Sequence, residues 1–212
     1  MLMFKKSCGA LAGFTVAALS GLCATSAAAA GLYAAAPPPN SVYVRIVAAA
    51  DVTQASVGVK RLSAASGAAS PYVVLPAGDA VVAAGSAKAA KPFAGGKYYS
   101  VVLGPGGRIN VLEDPLMTSH VKATISFYNL TARPNLELRT ADGKAVVVAA
   151  TAPGKEGSRQ VNGATAAFGV FGGGVSLAAT APQAIVRGVN YSAVATESAG
   201  KVRVVWARAE TK

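Results

Sequence analysis

Apolar residues return at every second position in short runs along the chain. Val42, Val44 and Ile46 form one such run, and Ile109 and Val111 another. Val121, Ala123, Ile125 and Phe127 form a third, and Val202, Val204 and Trp206 a fourth. A period of two with one apolar face is that of a half-buried strand. No window of a dozen residues repeats at 3.6. Alanine is abundant and favours helix by propensity, but its runs are broken by Gly, Pro and β-branched residues, and the pattern prevails. Turn sequences punctuate the runs at Pro76-Ala77-Gly78-Asp79, Gly104-Pro105-Gly106-Gly107, Ala141-Asp142-Gly143-Lys144 and Ala152-Pro153-Gly154-Lys155. Many short strands separated by such turns predict an all-β sandwich architecture.

The alternation also repeats on a longer scale. The stretch GGKYYSVVLGPGGRINVLED at 95–114 is echoed by RGVNYSAVATESAGKVRVVWARAE at 187–210. Tyr99-Ser100 falls on Tyr191-Ser192, Gly107-Arg108 on Gly200-Lys201, and Ile109-Asn110-Val111 on Val202-Arg203-Val204. The segment from Ser41 similarly resembles that from His120, and the segment from Pro71 that from Ala167. Each half reads as strand, loop, strand, long connection, two strands and a final hairpin. The sequence therefore predicts a tandem duplication: two small β-sandwich domains, 41–115 and 120–212, joined by a short linker at 116–119. Pro115 cannot donate to a central ladder and marks that boundary. Domains this small bury only roughly 60–65% of their unfolded surface, so docking of one on the other is expected.

Residues 1–30 read as a secretory signal peptide: a basic start at Lys5-Lys6, an apolar run from Ser7 to Cys23, and a cleavage site at Ala28-Ala29-Ala30. An Ala/Pro-rich segment, 31–40, follows. Export to the periplasm is the expected localisation. Both cysteines, Cys8 and Cys23, lie in the leader, so the mature chain would enter an oxidising compartment with no disulfide and no thiol chemistry. The formal net charge is +11. In that compartment an anionic polysaccharide or an acidic protein suits such a charge better than nucleic acid does.

The residues for enzyme chemistry are sparse. His120 is the single histidine of the chain. Met117 stands three positions before it, so the Asp-x-x-His of secreted esterases and acetyltransferases is absent, as is a G-x-S-x-G elbow. Most carboxylates are isolated, and the adjacent pair Glu113-Asp114 would face opposite ways on a strand. Neither glycine cluster, 104–107 or 172–174, matches a phosphate loop; hairpin or bulge duty is expected of both. No catalytic residue, metal site or cofactor is predicted. The candidate surface is aromatic and basic. Where Val42, Val44 and Ile46 face the core, Tyr43 and Arg45 face away, and Lys122 and Tyr128 lie opposite Ile125 and Phe127. Tyr beside Arg is the composition of a binding surface. Trp206 shares the phase of Val202 and Val204 and is expected in the core.

Taken together, LYAAAPPPNSVYVRI, LPAGD at 75–79, KYYSVVLGPGGRINVLEDP at 97–115 and NLTARPNLELRTADGK at 129–144 resemble the alginate O-acetyltransferase AlgF family, periplasmic accessory proteins of exopolysaccharide O-acetylation. The resemblance implies a non-catalytic adaptor working with a membrane-bound O-acyltransferase and a soluble acetyltransferase of the Ser-His-Asp type. The alternative is a polysaccharide-binding module that presents an anionic polymer for acetylation.

Overall fold

The computed structural model describes residues 36–49, 52–104, 107–115 and 119–211. The expected signal peptide, the start of the Ala/Pro-rich segment and most of the expected linker lie outside the described residues. Ordered strands begin at Ser41.

The first eight strands are β1 (Ser41–Ala48), β2 (Gln54–Val57), β3 (Lys60–Ser63), β4 (Val73–Pro76), β5 (Gly78–Ala84), β6 (Ala87–Phe93), β7 (Tyr98–Leu103) and β8 (Ile109–Asp114). They form two four-stranded sheets, ordered β4-β1-β7-β8 and β3-β2-β5-β6. The second series is β9 (Ala123–Leu130), β10 (Leu136–Thr140), β11 (Val146–Thr151), β12 (Glu156–Val161), β13 (Ala164–Ala166), β14 (Phe168–Gly172), β15 (Val175–Ala179), β16 (Gln183–Ile185), β17 (Asn190–Ser198) and β18 (Lys201–Arg208). Its four-stranded sheets are ordered β12-β9-β17-β18 and β11-β10-β14-β15. With the small β13-β16 ribbon set aside, every strand of one half has a counterpart in the other at the same place in the same sheet. Even the parallel pairing is shared, β1 with β7 and β9 with β17. The fold is all-β, two tandem small sandwiches, as the alternation predicts. The β13-β16 ribbon was not foreseen.

Period-two alternation builds each core. Val42, Val44 and Ile46 of β1 meet Val82, Phe93, Tyr99 and Val101 between the first pair of sheets. Ile125 and Phe127 meet Leu136, Leu138, Phe168, Val170 and Tyr191 between the second. Trp206 stacks on Phe168 at 4.8 Å and packs against this core, as expected.

The repeated Tyr-Ser dipeptide now has a physical meaning. The Tyr99 hydroxyl accepts the backbone N–H of Ala94 at 3.1 Å, and the Tyr191 hydroxyl accepts that of Val186 at 3.0 Å. Each tyrosine thus closes the corner five residues upstream of itself, as a buried phenol does when its polar tip needs a partner. The turn motifs resolve in the same way. LPAGD is the corner where the chain leaves β4 and enters β5 of the other sheet, with Gly78 at φ +129°. In TADGK the Asp142 carboxylate accepts from the Thr140 hydroxyl at 2.6 Å and from the Lys144 N–H at 3.2 Å. Gly173-Gly174 forms the two-residue turn between β14 and β15, both at positive φ, which is hairpin duty.

A third apolar layer joins the halves. Val47, Ala49 and Val102 from the first pack with Tyr128, Leu130 and Val194 from the second. The sheets that carry β1 and β9 therefore have apolar contacts on both faces. At the C-terminus, the Glu210 carbonyl accepts the Tyr72 N–H at 2.7 Å and ties the end of the chain back to the first half.

Candidate functional site

Arg45 and Tyr128, two of the four residues expected at an exposed binding surface, meet inside this interface. Arg45 is only 1% exposed and Tyr128 is fully buried. Both do face away from their own cores, as the alternation requires. What they face is the other sandwich, so their expected exposure is corrected. A guanidinium leaves water only where its donors are satisfied, and here they are largely satisfied by neighbouring strands. Arg45 Nε donates to Ser100 Oγ at 2.8 Å, and an Nη donates to Tyr128 Oη at 2.8 Å. Asp114 Oδ2 accepts from Tyr72 Oη and Ser100 Oγ, each at 2.6 Å, while Oδ1 accepts from Tyr128 Oη at 2.9 Å. Arg45 and Asp114 form an ion pair at 3.8 Å. The guanidinium also lies over the Tyr72 ring, 4.4 Å from its centroid, a cation–π contact strengthened by the dry surroundings.

The protonation states follow from the same geometry. Burial works to lower the Arg45 pKa, but Tyr128, Tyr72 and Asp114 outweigh it and hold the guanidinium above its ordinary value. Burial raises the Tyr72 and Tyr128 phenols, against the pull of Arg45 and with Asp114 adding to the rise. Both phenols therefore stay protonated and remain donors to Asp114. Glu156, at the head of β12, is raised by burial and by Asp114 against the hydrogen bond from Ser126.

Four groups from three strands and one loop thus converge on one carboxylate. Ser100 beside Asp114 superficially resembles an activated hydroxyl, but Ser100 is fully buried. The space lined by Arg45, Asp114, Ser126 and Asn190 amounts to about 10 Å³, room for no more than a single water molecule. No substrate reaches this cluster. It can lock two sheets together, and it has no access for chemistry. Sequence reasoning missed Ser100, Asp114 and Tyr72 as partners, because they lie 55, 69 and 27 positions from Arg45.

The other two predicted residues are elsewhere. Tyr43 is half-buried and stacks on Tyr98 at 4.4 Å with the rings 8° apart. Lys122 is exposed just before β9. The four do not form one surface. His120 is exposed ahead of β9, and among the described residues no three His, Cys, Asp or Glu side chains come together in a metal-binding group.

The fold and this sealed junction define a class of protein: a tandem pair of disulfide-free β-sandwiches docked through a buried charge network. A family model described as Alginate O-acetyl transferase AlgF matches residues 14–193, and the chain belongs to that family. Among its relatives, Alginate biosynthesis protein AlgF of Azotobacter vinelandii is 31% identical over 205 residues, covering 94% of each chain. The Pseudomonas aeruginosa protein of the same name is 29% identical over 183 residues, covering 85% of this chain and 84% of its own. Solved structures of the C-terminal and N-terminal domains of AlgF from P. aeruginosa also match. They share 32% and 25% identity and cover 41% and 38% of this chain. They cover 97% and 100% of their own chains, with TM-scores of 0.38 and 0.33.

Proposed function

We propose that this chain is a periplasmic, non-catalytic accessory protein in alginate biosynthesis. It holds a membrane-bound O-acyltransferase and a soluble acetyltransferase together while an exopolysaccharide, alginate or a close relative, is O-acetylated. Curated relatives carry the name alginate biosynthesis protein, which supports the pathway. The observation that carries the adaptor role is the junction. The Arg45–Asp114 cluster is spent on fixing one sandwich against the other, and it is closed to substrate. Two sandwiches held in one orientation present two partner faces at a fixed separation. Such a bridge raises the local concentration of one enzyme near the other with no chemistry of its own.

The test is in cells and in the tube. Deleting the gene should abolish polymer acetylation, and the His120→Ala protein should restore it fully. The purified chain should hydrolyse an activated acetyl ester no faster than buffer. General-base assistance typically contributes about 10²–10⁴-fold, so ester turnover that His120→Ala removes by that factor would overturn the adaptor reading.

A further inference from the structure

The interface that is sealed around Arg45 opens into a cleft of about 790 Å³, lined by both halves. Its walls are the start of β8, with Arg108, Ile109 and Asn110, and the turn before β12, with Pro153, Gly154 and Lys155. Asn110 Nδ2 donates to the Gly154 carbonyl at 3.0 Å across the junction, so the two walls are tied. Val102, part of the apolar layer between the halves, contributes to the lining, with Ala132 exposed beside it.

The charge in the cleft has one sign. Arg108 and Lys155 are exposed, and among the described residues no carboxylate lines the walls. Among the described residues neither Arg108 nor Lys155 pairs with a Glu or Asp; they share this with most other Lys and Arg, and what sets them apart is that they stand together on the rim of one cleft. Among the described residues the lining contains no aromatic ring on which a sugar could stack. Isoleucine, alanine and proline beside two exposed cations match the apolar centre and polar rim of a protein–protein contact, and a cleft of this volume exceeds what one side chain fills.

We propose that this cleft docks an acidic polypeptide segment of the soluble acetyltransferase, with carboxylates on Arg108 and Lys155 and an apolar residue against Ile109 and Pro153. The inference rests on the adaptor reading and adds the face that reading leaves open.

The experiment measures binding of the purified chain to the soluble acetyltransferase of the same organism. The Arg108→Glu/Lys155→Glu double variant should weaken the complex at least tenfold and flatten its dependence on salt, since opposed rim charges steer association. Ala132→Arg, which fills the cleft without reversing its charge, should weaken the complex as well. Lys60→Glu/Arg61→Glu, on the distant β2–β3 hairpin, should change affinity less than twofold, and all variants should melt with the wild type. If wild type binds and the cleft variants bind equally, the cleft assignment fails and the adaptor stands. Equal weakening by the hairpin variant, or competition by a short uronate oligosaccharide at the cleft, also overturns it. If wild type does not bind at all, the adaptor reading falls and takes the cleft with it.

Discussion

Arg45 pairs across β1 and β7 with Ser100; the matching positions in the second sandwich are Ser126 and Ser192. Asp114, opposite Tyr98, corresponds to Ala209, whose N–H bonds the Asn190 carbonyl. Val47, opposite Val102, corresponds to Tyr128, opposite Val194. Inside each sandwich the duplicated positions kept their character: Val44 and Ile125, Tyr99 and Tyr191. On the faces that meet they diverged in opposite directions. One half carries the Arg45–Asp114 ion pair, and the other carries small hydroxyl and methyl groups, one phenol and the half-buried Glu156 opposite that phenol. Ser126, Asn190 and Ala209 line the same small space as Arg45 and Asp114, so the smaller side chains of one half leave room for the larger ones of the other. Two identical faces would have put two guanidiniums and two carboxylates into one dry layer. The difference shows how a duplicated module becomes a specific, one-way junction.

Breaking that asymmetry should have the largest effect. Asp114→Ala leaves Arg45 charged and buried without its counter-ion, and should cost about 3–5 kcal/mol. That is a large share of the ~5–15 kcal/mol available to a folded domain. A trim on the other side, Ser192→Ala at the counterpart of Ser100, removes a buried hydroxyl that has no hydrogen-bond partner and should cost under about 0.5 kcal/mol. Replacing both charges together, Arg45→Met with Asp114→Leu, should recover most of the loss, because a well-packed apolar pair avoids the desolvation penalty. Urea unfolding of the three variants measures this. Equal losses in Asp114→Ala and Ser192→Ala would mean the junction is not held by its charges.

The alternation made each sandwich legible, including the inward set Val42, Val44, Ile46 and the core place of Trp206. It also placed Tyr43 and Arg45 on the opposite face correctly. It does not say whether that opposite face meets water, because period two separates one side of a sheet from the other and carries no information about a further layer. A signal was present. Ile46-Val47-Ala48-Ala49 and Val101-Val102-Leu103 are continuous apolar runs, the mark of strands covered on both faces. The partners of Arg45 were not legible at all, since contacts between residues 27 to 83 positions apart are set by topology. LPAGD, TADGK and Gly173-Gly174, by contrast, were read correctly as turns and corners, because Gly, Pro and Asx chemistry is local; Pro105-Gly106 of the other glycine cluster lies outside the described residues.

Where the halves are alike, mutations should act alike. Tyr99→Phe and Tyr191→Phe each strip the acceptor from a backbone N–H, of Ala94 and Val186 respectively. Each should cost about 0.5–1.5 kcal/mol, the net worth of one hydrogen bond, because Ala94 and Val186 are exposed and water reaches the freed N–H. The second should be the larger of the two, because the Tyr191 hydroxyl also donates to the Ala184 carbonyl at 3.1 Å. The two sites share no hydrogen-bond partner, so the double variant should lose the sum of the single losses. Chemical denaturation checks both points. A cost confined to one half would mean that the repeated tyrosine serves different ends in the two copies.

A small effect of the opposite sign is expected where the second copy carries a residue its own turn disfavours. Strands β17 and β18 are joined by the two-residue turn Ala199-Gly200, with Ser198 facing Lys201. Both turn residues have positive φ, 49° at Ala199 and 74° at Gly200. That is the backbone of a hairpin turn that favours Asn-Gly, because its right-handed twist matches the strands it joins. Alanine has a Cβ that crowds the following carbonyl in this region and no side-chain amide to compensate. The β14–β15 hairpin solves the same problem with Gly173-Gly174, at 58° and 81°. Ala199→Asn should therefore stabilise the protein by about 0.5–1 kcal/mol, with Ala199→Gly gaining less, because glycine relieves the strain but loses more backbone entropy on folding. Thermal unfolding should show a rise of roughly 1–4 °C for Ala199→Asn, with the Arg45–Asp114 junction and transferase binding untouched. A fall in midpoint would mean that Ala199 is held by contacts outside the turn, and that the two hairpins are not equivalent after all.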